Sequence, residues 1–262
     1  MSARYLKQSC LGLVLLAAVS PGSAGMRSAD KAVLEPADVV RLAKKVERTA
    51  ADLGARVFLL ARVGRPAQEL PEGIEFTHVS FAVYSSIRTT DGREIPGYSV
   101  YNLYQRDDVP SQSHLVVDFP VDFYAPAHAL KAGVIIPTPE LQRRLLGVLA
   151  SGEHAKVHVP AYSAFSSPYN VRYQNCTEYV LDVLNAAIYG TTDMEQLKAN
   201  ARAYFEAQTI RINPLKLFFA SLFKPEIRTS DHRGAIRTAT FGAIASYLEA
   251  NGLAESVQVI EL

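Results

Sequence analysis

Glu75-Phe-Thr-His-Val-Ser-Phe-Ala-Val-Tyr84 decides the fold class. The run is apolar, rich in aromatic and β-branched residues, and too short for a helix, so it predicts a buried strand. Alternation sets Phe76, His78, Ser80 and Ala82 on one face and Thr77, Val79, Phe81 and Val83 on the other. The second set is the more apolar, and the expectation is that this side packs on the core. Working outward, Val57-Phe-Leu-Leu-Ala-Arg62 is a second strand. Tyr98-Ser-Val-Tyr-Asn-Leu-Tyr104 is a third, after the turn signal Asp91-Gly92, and Leu115-Val-Val-Asp-Phe119 a fourth, stopped by Pro120. Together they predict a mainly antiparallel sheet.

Helices flank this block. Residues 29–54 carry Val39, Ala43, Val46, Ala50 and Leu53 at helical spacing, with Pro36 suited to a first turn and Gly54 to the end. The second half is mostly helical. A helix opens at Thr138-Pro139 and stops at Ser151-Gly152, and another runs from Asn175 to Ile188. Thr192 and Glu195 sign a third as a capping box. Residues 214–223 are amphipathic, and Phe241, Ile244, Ala245 and Leu248 mark a helix before a last strand at 257–260. Strands first and helices later give an α+β class, the N-terminal sheet packed against C-terminal helices.

Residues 1–24 have the layout of a cleavable export signal: Arg4 and Lys7, a short apolar run from Leu11 to Val19, then small residues up to Ala24. The run is too short to span a bilayer. The expected mature chain is one globular domain, residues 25–262, periplasmic or secreted, with no transmembrane segment. The full chain has 27 Lys+Arg against 26 Asp+Glu, and losing Arg4 and Lys7 leaves a charge near −1. Nucleic acid is therefore not expected as a partner. Of two cysteines, Cys10 leaves with the signal and Cys176 stays, so no intramolecular disulfide forms.

Cys176 stands at the head of a predicted helix. Asn175 is a good N-cap, and Glu178 is placed to reach back as in a capping box. Unpaired amide groups and the helix dipole at that position favour a thiolate, the nucleophilic form of sulfur. The opposing reading is equally physical: four residues before Val180, the thiol lies on the buried face and is a small hydrophobe. A nucleophile also needs a base. His78, inside a strand, is the first candidate, facing the sulfur across a helix–sheet cleft. Asn102, in phase with Tyr98, Val100 and Tyr104, is placed to hold the imidazole in its proton-accepting tautomer. His232 competes, but Arg228, Arg233 and Arg237 around it read as a solvated loop. His154 and His158 have a metal-ligand spacing only on a helix, and Gly152 and Pro160 argue against one. No phosphate-cradling glycine loop or dinucleotide fingerprint occurs, so neither a cofactor nor a metal is expected.

Phe76-Thr-His-Val-Ser-Phe81, and Tyr169 to Tyr179 with its Asn-Cys-Thr-Glu, resemble an uncharacterised family of exported bacterial proteins. The likeness extends to Thr229-Ser-Asp-His232 and Thr238-Ala-Thr-Phe241. A histidine strand before a cysteine helix is more distantly similar to circularly permuted papain-like (NlpC-type and lecithin:retinol acyltransferase-like) enzymes. That resemblance implies Cys176 as nucleophile, His78 as base, Asn102 as third polar group and Tyr169 as a lining residue. The expected activity is that of a cysteine hydrolase or acyltransferase acting on an amide or ester. Gln174 and helix-start amides would hold the oxyanion. Peptide, peptidoglycan-derived or acyl groups are the implied substrates. The alternative is a non-catalytic binding or assembly protein of the cell envelope on the same fold.

Overall fold

A computed structural model describes residues 33–211 and 226–262; the export signal expected in residues 1–24 and the amphipathic helix expected in 214–223 lie outside them. The strands are β1 (Val57–Arg62), β2 (His78–Arg88), β3 (Glu94–Gln105), β4 (Ser113–Asp118), β5 (Lys131–Pro137), β6 (Gln208–Thr209), β7 (Arg237–Thr238) and β8 (Ala254–Glu261). Six of them make one antiparallel sheet in the order β4-β3-β2-β1-β5-β8, and β6 pairs with β7 apart from it. The helices are α1 (Pro36–Asp52), α2 (Pro120–Tyr124), α3 (Pro139–Ala150), α4 (Cys176–Tyr189), α5 (Met194–Tyr204) and α6 (Phe241–Ala250). The architecture is α+β, an antiparallel sheet packed against helices. Among the described residues, no helix is long and apolar enough to cross a membrane.

The 77-to-83 side of β2 packs on the core as expected, and the opposite face of the sheet is buried as well. Val57, Leu59, Val79, Phe81 and Leu103 point to one face and meet α3, α4, α5 and α6. Phe58, Leu60, Ala82, Val100 and Val134 point to the other and meet α1 and α2. The reason is α1: its buried stripe of Val39, Leu42, Ala43, Val46 and Ala50 needs an apolar surface, and β1, buried at every position, provides one. Strand β5, not foreseen, sits between β1 and β8. Its Gly133 leaves room for an aromatic ring: a Cβ there would lie 2.7 Å from the tip of Phe241.

Helix α4 is enclosed by the sheet, α3 and α5, and even its polar side is sealed. Glu178 and Asp182, one turn apart, converge on Lys198 of α5, each with an oxygen 2.7 Å from its Nζ. Glu178 therefore turns inward instead of reaching back as a capping-box partner. Asn175 caps the helix alone, its Oδ1 accepting from the Glu178 N–H at 2.9 Å. At α5 the cap is Asp193, which accepts from Gln196 N–H, instead of Thr192. Burial would lower the Lys198 pKa, but Asp182 and Glu178 more than offset it, and the net shift is upward. Burial, first, then repulsion from Asp182 push Glu178 up to about 8, against the pull of Lys198. Burial raises Asp182 as well, against the pull of Lys198, so both acids hold their protons more tightly than in water.

Gly133→Ala forces the Phe241 ring off β5, and overpacking of this kind costs about 1–3 kcal/mol, read as a lowered urea midpoint. Lys198→Met removes the partner of two buried carboxyls and costs about 3–5 kcal/mol near neutral pH. The folded chain holds a Glu178 proton that the unfolded chain has released, so this group's stability contribution falls as pH rises from 4.5 towards about 8. Urea unfolding across that range should show a shallower decline in Glu178→Gln; an unchanged slope would refute the assignment.

Candidate functional site

The site is built where α4 meets β2. Besides capping the helix, Asn175 donates from Nδ2 to Ala164 O at 3.1 Å and to Thr238 Oγ1 at 3.3 Å, which fixes the helix start. Cys176 is the first helical residue and is 6 % exposed. Its Sγ lies 3.8 Å from Thr77 O and 3.8 Å from Thr177 Oγ1, and the Val79 N–H also points to it. The ladder between β2 and β3 reaches only to Phe81↔Tyr101, so the stretch around His78 lacks a β3 partner. The sulfur rests against that stretch of backbone.

The His78 ring leaves the strand on the other face. It stacks on Tyr104 with centroids 5.1 Å apart and planes 13° from parallel, and it contacts Phe123. Its Nε2 is 3.1 Å from Asn102 Oδ1 and 3.3 Å from Ser80 Oγ. Asn102 in turn donates from Nδ2 to Asp118 Oδ1 at 2.6 Å, and Tyr104 donates to Asp118 Oδ2 at 2.8 Å. An acidic acceptor on the Nδ2 side sets the amide orientation, so Oδ1 faces the imidazole. Nε2 then carries the proton, and Nδ1 is left as the basic nitrogen.

Charge is disfavoured on both members of the expected pair. Burial, then the Arg62 guanidinium, lower the His78 pKa well below its ordinary value, against the Asn102 hydrogen bond. Burial raises the Cys176 thiol, outweighing the Val79 N–H, Thr177 and Arg62. The resting state is a neutral thiol and a neutral imidazole, not the thiolate expected from the helix start. Desolvation of the sulfur outweighs what the helix end contributes. The two side chains hydrogen-bond to separate partners and not to each other.

The other expected residues take different places. Gln174 is fully buried: its Nε2 donates to Val157 O and Asp182 Oδ2, and its Oε1 accepts from Val159 N–H. It ties the chain before α4 to the buried charge cluster and has no donor left for an oxyanion. The Tyr169 hydroxyl donates to Phe205 O and accepts from Ala207 N–H, and the residue lines a separate cleft. His154 meets the Tyr179 hydroxyl and His158 the Ser113 hydroxyl, so the two do not share a partner. Among the described residues no cluster of three or more His, Cys, Asp or Glu is arranged to hold a metal. His232 is not in a solvated loop: its side chain is 4 % exposed, and its Nε2 donates to Phe165 O.

Asp118 and Arg62 are the residues sequence reasoning missed. Burial raises the Asp118 carboxyl to about 7, against the Tyr104 hydrogen bond. Arg62 is buried beneath the network, donating to Phe123 O with its guanidinium 4.9 Å from that ring's centroid. A signal for both existed: each is a charge at the end of an otherwise apolar strand, in phase with His78 or Asn102.

The chain belongs to the family described as uncharacterized protein conserved in bacteria (DUF2145), whose model matches residues 49–248. The match takes in Cys176, His78, Asn102 and Asp118. Comparison with curated proteins and with solved structures gives no match.

With the thiol raised and covered, the folded protein should react with iodoacetamide far more slowly at neutral pH than a free cysteine does. The rate should still be rising above pH ~8.5, the ordinary thiol value. A rate that saturates below pH ~7 would show that the sulfur is ionised after all.

Proposed function

We propose that this DUF2145 member is a non-catalytic binding or assembly protein of the cell envelope, with Cys176 as part of its packing. The observation that carries this reading is the state of the sulfur. It is 6 % exposed, belongs to the apolar cluster beneath α4, has its pKa raised by burial, and is not hydrogen-bonded to His78. Nucleophilic catalysis needs the reverse, a thiolate within reach of both base and substrate. The envelope location rests on the export signal expected in residues 1–24.

A second reading is favoured by one specific arrangement. Asn102 and Asp118 hold His78 as the tautomer with a basic Nδ1, and the sulfur lies against backbone groups on either side of that histidine. These features support a cysteine hydrolase or acyltransferase, related to the permuted papain-like enzymes, on an amide or ester of peptide, peptidoglycan or acyl type. In it, substrate binding must both part α4 from β2 and swing the His78 ring off Tyr104, round the end of the β2–β3 ladder, to bring Nδ1 to the sulfur. Nδ1 takes the thiol proton, the thiolate adds to the carbonyl, and the protonated imidazole returns the proton to the leaving amine or alcohol. Water, deprotonated by the same nitrogen, then cleaves the thioester and regenerates the thiol.

Cys176→Ala separates the two. As a packing residue, Cys176 should cost ~1 kcal/mol or more when truncated, and an electrophilic cysteine probe should leave the folded protein unlabelled. Unchanged stability in Cys176→Ala, with rapid labelling of the folded wild type that Asn102→Ala slows, would overturn the binding reading for the hydrolase.

A further inference from the structure

The described surface has a cleft of about 780 Å³, within the size range of small-ligand sites. Three separate segments converge on it: the loop before α4 with Ser167, Tyr169 and Arg172, the last turn of α5 with Arg202, and the loop into β7 with Arg233 and Arg237. Its walls are tied together. Asp231 Oδ2 accepts from Ser167 N–H at 2.7 Å, Asp231 O accepts from Asn170 Nδ2 at 2.9 Å, and Arg172 donates to Ser230 O at 3.1 Å. Arg202 donates to Tyr169 O.

The charge in this cleft is compensated only in part, four arginines facing one carboxylate. Elsewhere Arg41, Arg93, Arg106, Arg143 and Arg144 each pair with a carboxylate near them in sequence. Among the described residues, Arg172, Arg202, Arg233 and Arg237 have no such partner, although all four line one cleft. The one carboxylate there, Asp231, has a fully buried side chain engaged by Ser167 N–H. The positive character is felt nearby: Tyr173 has its pKa lowered, first by the Ser230 hydrogen bond and then by Arg228 and Arg172. Like charges held on a tied scaffold raise the local potential, and the guanidinium fork matches paired oxygens.

We propose that this cleft binds an oxyanionic ligand carrying at least two negative charges, the chemistry shared by phosphate and carboxylate groups, with Arg172, Arg202, Arg233 and Arg237 as its donors. The inference rests on the binding reading and gives it a ligand class, on a surface that does not include Cys176. Arg233 and Arg237 are the residues to change, because their side chains make no hydrogen bond within the described structure and their loss should spare the fold.

The test is calorimetric titration of the full mature chain with inorganic pyrophosphate, with citrate, and with cardiolipin vesicles, whose headgroup carries two phosphates. Saturable binding of at least one is expected, weakened roughly tenfold or more in Arg233→Gln/Arg237→Gln at unchanged melting temperature, and weakened by added salt. Pyrophosphate binding would mark a soluble phosphate, citrate binding a carboxylate, and binding to vesicles alone a lipid-borne phosphate. No binding of any probe, or equal affinity in the double variant, would overturn the proposal. Either result is independent of Cys176 labelling, so the cleft and the binding reading fail separately.

Discussion

A lysine held by two acids in a dry interior is the constraint on which the rest of this structure depends. Lys198 joins α5 to α4 through Glu178 and Asp182, and Gln174 extends the connection into the chain before α4. Such clusters add little net stability compared with an apolar core, but any other docking of the two helices would strand charge in hydrocarbon. The angle and register of α4 are thereby restricted. With α4 fixed, the position of Cys176 against β2 follows, and so does the loop that carries Tyr169 and Arg172.

The second polar core, on the other face of the sheet, works differently. His78, Asn102, Tyr104 and Asp118 are linked edge to edge along β2, β3 and β4, with Arg62 beneath them. Each of these hydrogen bonds joins one strand to its neighbour, so the network resists sliding of the register in a part of the sheet where the β2–β3 ladder has already ended. This is a structural role that the histidine fulfils whether or not it takes part in chemistry. The same links also hold the ring in one tautomer, which is why the catalytic reading keeps a specific footing.

Much of the fold was legible because it is written in periodicity. The alternation in 75–84 and the helical spacing in 36–52 and 176–189 are local, and local physics decides them. What was hidden depends on partners distant in sequence. Glu178 looked like a capping residue because Lys198 is twenty positions away, and the second buried face was invisible until α1 lay across β1. Asn102 was readable as a partner of His78 from strand phase, whereas Asp118, one strand further, was not. The sulfur shows the limit most sharply. Its place at the helix head was plain from Asn175, but its ionisation depends on how closely the sheet covers it.

The early end of the β2–β3 ladder has a consequence for motion. Where other residues of the sheet exchange amide hydrogen bonds, Thr77 and Val79 meet a sulfur, a weak partner in either direction. That makes the junction of α4 with β2 a seam in the hydrogen bonding of the sheet, held by apolar packing. Opening the seam bares the thiol and the flanking backbone of His78 in a single event, so solvent access to one is access to both.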